Sequence, residues 1–189
     1  MKLKYSPIAL LLCTLLIACA DDPVPKPHGY FRIDLPEKEY VPWEDEVSFA
    51  AEIPVYSRMA KRKAEEGIRW YDLRFRDQRG TIHLTWTPIQ GPVMDLIEDA
   101  HTFKSTHEAK AVKISSARIL RDSSRVFGNI FHVEGDVASP VVFYLTDSTD
   151  NFLYGSLYFD VRPNGDSLAP VTERIRDDVQ HFARTLECE

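Results

Sequence analysis

The chain has 189 residues, enough for one domain with a sizeable core, and 44% of them are hydrophobic. It carries 23 Lys and Arg against 29 Asp and Glu, a formal net charge of −6. That balance argues against a nucleic-acid partner, whose phosphates need a basic surface, and against electrostatic adhesion to anionic headgroups.

Residues 1–18 have the three parts of an export signal. Lys2 and Lys4 supply the positive start, and residues 8–17 form an apolar run broken only by Cys13 and Thr14. The run ends in Leu16-Ile17-Ala18-Cys19, which resembles the lipobox of bacterial lipoproteins. That resemblance implies a diacylglycerol thioether on Cys19 and cleavage just before it, with Ala18 in a small subsite and Leu16 in an apolar one. The alternative is an uncleaved anchor helix, but the run is well short of the roughly 20 residues a bilayer span needs. Cleavage removes 18 residues and two lysines, leaving 171 residues with 21 basic and 29 acidic side chains, a charge near −8. Cys13 leaves with the signal and Cys19 is consumed by lipid. Cys188 is then the remaining thiol, so no intrachain disulfide and no Cys/His zinc spacing exists. It is expected to be a bystander at a frayed end, with an intermolecular bridge as the lesser option.

Residues 19–28 read as a lipidated cysteine and a tether. Pro23, Pro25 and Pro27 alternate, which favours an extended chain and blocks a helix or strand. Asp21 and Asp22, just behind the acylated cysteine, resemble a surface-export tag of Bacteroidetes-type bacteria or are a solvated pair. The globular pattern runs over residues 29–189. Strands are predicted at Tyr30 to Leu35 and Val47 to Ile53, each stopped by a proline. Tyr71, Leu73 and Phe75 share one strand face, with Asp72, Arg74 and Arg76 on the other. The turn at Asp77 to Gly80 leads to Ile82, Leu84 and Trp86 in an antiparallel partner.

Pro92 opens a helix whose stripe is Val93, Leu96, Ile97, Ala100, Phe103 and His107. Four strands follow at Lys113 to Arg121, Val126 to Glu134, Val141 to Thr146 and Phe152 to Val161. Ser167 or Asp166 is expected to cap a last helix, with Pro170 in its first turn and an apolar stripe of Leu168, Val171, Ile175, Val179, Phe182 and Leu186. The order predicts an α+β domain, an antiparallel sheet packed by two amphipathic helices. It looks like a Mog1/PsbP-like sandwich.

Catalytic patterns do not emerge. The sequence has no Gly-rich phosphate loop, GxSxG elbow or HExxH motif. The six histidines, His28, His83, His101, His107, His132 and His181, form no i, i+4 ligand pair. Glu98 and Asp99 are expected to offset a helix dipole, and Arg174, Arg176, Asp177 and Asp178 to form a solvated helix face. Asp147, Ser148 and Asp150 suggest a calcium-loop fragment but lack its glycine and distal glutamate, so a hairpin turn is expected. No catalytic, metal-binding or cofactor-binding residue is assigned, and no cofactor is expected. Cys19 is the one modification site. Tyr154 and Tyr158 make the strand at 152–161 apolar on both faces, as either core packing or a binding surface would require.

Several segments in order resemble the gliding-motility lipoprotein GldD family of Bacteroidetes. They are residues 25–36 (PKPHGYFRIDLP), Ile82-His83-Leu84 with Pro88-Ile89, Ile97-Glu98-Asp99-Ala100, residues 145–149 (LTDST), residues 157–161 (LYFDV) and residues 163–171 (PNGDSLAPV). The resemblance implies a non-enzymatic envelope lipoprotein needed for gliding and linked to type IX protein secretion. It implies anchoring through Cys19, at the outer membrane on its periplasmic face or the cell surface, with other envelope proteins as partners. The Cys188-Glu189 ending departs from the aromatic or basic residue expected there. A lipid-anchored small-ligand or lipid carrier, with a groove between sheet and helices, is the second hypothesis, and an unrecognised hydrolase the third. A deep apolar pocket would favour the carrier; a filled core with an exposed patch would favour protein contacts.

Overall fold

Two antiparallel meanders meet along one strand pair, and this junction organises the molecule. The computed structural model describes residues 35–45, 49–105 and 110–188, all within a compact unit that begins at Phe31. The first meander is β3 (Arg58–Glu65), β4 (Ile68–Phe75) and β5 (Gly80–Pro88). Helix α1 (Val93–Ser105) then crosses over to β6 (Ala111–Arg121). A 3-10 turn at Asp122–Ser124 leads into the second meander, β7 (Val126–Gly135), β8 (Val141–Thr146) and β9 (Asn151–Phe159). Because β9 returns to pair with β5, the seven strands lie in the order β3-β4-β5-β9-β8-β7-β6, antiparallel throughout. A smaller sheet joins β1 (Tyr40–Asp45), β2 (Phe49–Pro54) and β10 (Glu187–Cys188), the last following helix α2 (Gly165–Thr185).

Alternation along the strands splits the apolar residues between two faces. Tyr71, Leu73 and Phe75 of β4, Ile82, Leu84 and Trp86 of β5, and Leu153 and Leu157 of β9 face the main core. Val171, Ile175, Val179 and Phe182 of α2 fill that core, together with Leu186 just after the helix and Phe49, Ala51 and Ile53 of β2. The opposite face is partly covered. There α1 sets Ala100, Val93, Leu96 and Ile97 against Phe131, Tyr144, Phe152 and Tyr154. The α+β class and the presence of both helices are as the periodicity predicts, but the strands form two sheets where one is expected, and the side chains of Phe103 and His107 lie outside what is described.

The differences have local causes. The strand predicted at Tyr30 to Leu35 lies outside the described residues except for Leu35, which is not in a strand. Strands β1 and β3 are not foreseen, because β1 contains Pro42 and β3 reads Arg-Met-Ala-Lys-Arg-Lys-Ala-Glu. Both are edge strands, where proline and charge are tolerated and the partner supplies the hydrogen bonds. Asn164 caps α2, its side chain accepting from the Ser167 amide at 3.0 Å, so neither Ser167 nor Asp166 is the cap. The helix therefore starts earlier than expected, and Pro170 lies inside it rather than in its first turn. Cys188 is no frayed end: it pairs with Phe49 and packs against the core. Burial pushes its thiol up to about 11, which leaves it protonated and unreactive near neutral pH.

Candidate functional site

The turn between β4 and β5 sets their register, and that register builds a polar cluster. Asp72 stands opposite His83, and His83 opposite Ser156 on β9. All three point away from the main core, since their neighbours at alternate positions fill it. The Asp72 carboxylate is only 6% exposed. Its Oδ1 accepts from His83 Nδ1 at 2.8 Å and its Oδ2 from Arg74 Nη2 at 2.8 Å. A carboxylate only accepts, so Nδ1 carries the proton. Arg62 Nη1 lies 3.7 Å from Oδ1. Burial alone would raise this carboxyl, but Arg74, His83 and Arg62 together hold it below the usual carboxylate range.

The partners are far more open than the anion they share. Arg62, Arg74 and His83 are 56%, 50% and 43% exposed. The Tyr158 ring lies 5.6 Å from that of His83, and Lys63 stands over Trp70 at 5.8 Å. Helix α1 covers the β7-β8-β9 side of this face. The β3-β4-β5 side is thus a cationic and aromatic surface.

An Asp-His-Ser row invites a hydrolase reading. A nucleophilic serine needs oxyanion donors beside it. Ser156 sits mid-strand in β9, between β5 and β8, where backbone amides serve the ladders. Its side chain is buried and hydrogen-bonds Tyr154. The arrangement fits recognition better than acyl transfer.

The other sequence candidates are dispersed. Cys19, His28 and His107 lie outside the described residues. His101 is exposed, edge-on to Phe131 at 5.2 Å. His132 accepts from Arg176 at 3.2 Å; burial and that guanidinium hold the imidazole below its usual value. His181 bonds Glu52 at 2.6 Å and stacks on Tyr40 at 3.6 Å. Asp95, not Glu98 or Asp99, is the acid in the first turn of α1. Asp147 spends Oδ1 on the amides of Thr149, Asp150 and Asn151, and Asn151 Nδ2 donates to Oδ2 at 2.6 Å. Burial would raise that carboxyl, but these donors keep it low, and the segment is a turn built on Asp147. Among the described residues no group of three His, Cys, Asp or Glu could hold a metal ion.

The helix face read as solvated is not so. Asp178 is 2% exposed and accepts from Tyr40 Oη at 2.9 Å and Tyr56 Oη at 2.5 Å. Arg174 donates to Tyr56 at 2.9 Å and to the Pro36 carbonyl. Asp72 went unnoticed in the sequence as the centre of a cluster. The signal was there, because a hairpin turning at residues 76–79 must set residue 72 against residue 83.

Two cavities lie between the large sheet and α2. A cleft of about 750 Å³ lies between β6, β7 and the start of α2, lined by both signs of charge, including Lys113, Arg176, Glu134 and Glu173. Between β4, β5, β8 and α2 the interior leaves about 10 Å³. None of the described helices is long and apolar enough to cross a membrane.

A comparison with curated proteins gives no match. The family described as gliding motility lipoprotein GldD matches residues 20–188, which span every strand and helix above. The chain therefore belongs to the gliding motility lipoprotein GldD family.

Proposed function

We propose that this gliding-motility envelope lipoprotein is a non-enzymatic part of the gliding machinery, linked to type IX secretion, that works by contact with other envelope proteins. The observation that carries the reading is the open cationic half-sheet around Asp72 and His83. The alternative, a small-ligand or lipid carrier, needs a groove between sheet and helices. Beneath α2 the apolar interior leaves about 10 Å³, room for one water at most, and the 750 Å³ cleft between β6, β7 and α2 is lined by charges of both signs rather than by an apolar wall, which favours the contact reading. Lipid on Cys19, after cleavage of residues 1–18, would hold the domain at the outer membrane through the tether at 19–28. For the fold, the Mog1/PsbP-like sandwich remains our comparison, supported by element order alone.

Two experiments test this. Cys19→Ala is expected to abolish incorporation of a metabolic fatty-acid label; label on the variant would end the lipoprotein assignment at that residue. Alanine at His83, His101, His132, Glu98 and Asp99, one at a time in the native host, is expected to leave gliding and secretion near normal at unchanged protein levels. His83→Ala, which removes one contact of the open face, should give at most a partial loss. Complete loss from any one exchange in a folded protein would move the assignment to catalysis or metal binding.

A further inference from the structure

The charge of the open half-sheet runs against that of the chain. Of the eight Lys and Arg in residues 58–79, Arg69 stands over Trp86 on the main-core side; Arg58, Arg62, Lys63 and Arg74 belong to the open face, against buried Asp72 and Glu65, the ion-pair partner of Lys63, whereas the whole chain has more acid than base. Strand pairing arranges part of this charge in a row. Arg58 stands opposite Arg74, Arg74 opposite Thr81, and Thr81 opposite Tyr158. Like charges directly opposite one another weaken a strand pair, so two guanidiniums held in register make a receptor for an anion. Beside this row, buried Asp72 gathers Arg62, Arg74 and His83, fixing where their exposed heads lie. Trp70 and Tyr158 add ring surface.

The shape selects among anions. Helix α1 rests on the same face of the sheet, over Phe131, Tyr144 and Phe152. A helix is about 10 Å across, so the open strands form a floor beside a step of that height. A recess of about 350 Å³, lined by Ile68, Thr87, Pro92, Asp95 and Leu96 among others, lies at the foot of the step. A flat bilayer would meet α1 before reaching the floor. One extended or helical polypeptide segment fits beside it.

We propose that this half-sheet, strands β3, β4 and β5 with Tyr158, is the docking face for an acidic segment of a partner protein. Carboxylates of the segment engage Arg58, Arg74 and Arg62, where the guanidinium fork suits bidentate pairing. Its apolar side chains lie on Trp70 and Tyr158. The proposal rests on the protein-contact reading above and narrows it to one surface and one partner chemistry.

The test uses the full lipidated protein in mild detergent, with fluorescent polyglutamate and polylysine as probes. Polyglutamate is expected to bind, more weakly as salt rises, and polylysine not to bind. The double variant Arg58→Glu with Thr81→Glu leaves every partner of Asp72 in place and should weaken polyglutamate binding at least about tenfold. Arg58→Gln, a milder change, should give a smaller loss and covers the case in which the double variant fails to fold. Equal binding by these variants, or no binding by the wild type, overturns the proposal. Adhesion to phosphatidylglycerol vesicles without polyglutamate binding reassigns the face to lipid and also overturns it. In the native host, a photo-cross-linker in place of Thr81 should capture a peptide rich in Asp and Glu. Capture of a neutral or basic peptide overturns the acidic chemistry but leaves the contact reading standing. Normal gliding in the double variant overturns this surface and leaves that reading to another part of the molecule.

Discussion

Truncating Phe182 to alanine is expected to cost about 3–5 kcal/mol of folding stability. Phe182 lies near the end of α2 and is 3% exposed. Its ring meets Phe49 of β2 edge-on at 5.9 Å and Phe143 of β8 at 6.4 Å. One side chain therefore joins the helix, the small sheet and the centre of the large sheet. The surrounding interior is already filled, and its aromatic neighbours belong to hydrogen-bonded strands that cannot collapse into the gap. The loss includes both transfer and cavity terms. Phe159 is the useful contrast. Its mid-strand place in the sequence suggests an equal role, yet it ends β9 and is only half-buried. Phe159→Ala is expected to cost about 1–2 kcal/mol. Denaturant melts of the two variants measure both values, and a Phe182→Ala effect below about 1 kcal/mol would show that α2 packs differently.

Asp178→Ala should be nearly as damaging, at about 3 kcal/mol, for a different reason. The exchange leaves the Tyr40 and Tyr56 hydroxyls without their acceptor and Arg174 without the carboxylate 3.9 Å away. These groups tie β1, the turn at Tyr56 and the chain at Pro36 to α2, so the small sheet should loosen first. Asp178→Asn keeps an acceptor of the same shape and should be far milder. The pH dependence gives a second readout. Burial raises the Asp178 carboxyl above its ordinary value of 3.8, against the opposing pull of Tyr56, Tyr40 and Arg174. A raised folded value means that the folded state holds the proton more tightly. This group's contribution is thus full below the unfolded value and is lost as pH rises through the folded one. Wild-type melts should show that loss on the alkaline side of 3.8, and Asp178→Asn melts should lack it. An Asn variant that retains it would assign the titration to another group.

Much of the architecture could be read from residues close together in the chain. The β4-β5 hairpin, β7 and both helix stripes follow from alternation or 3.6-residue periodicity, and β8 from a short continuous apolar run, signals that neighbouring residues carry by themselves. The polar centre of the open face was half legible. Hairpin symmetry sets Asp72 against His83, but β3 brings Arg58, Arg62 and Lys63, and its charged sequence has no strand signature.

What the sequence alone determined is which segments have an apolar side and how long each is. Only the tertiary structure decided which edges carry charge, which carboxylates are buried and which half of the sheet stays open. Asp178 looks solvated beside Arg174, Arg176 and Asp177, yet it is buried by tyrosines 138 and 122 positions away. Asp72 sits on the polar side of its strand, and strand β3 closes over it with Arg62. Burial of a polar group depends on donors delivered by other elements, and no period in the local sequence encodes when those elements will meet.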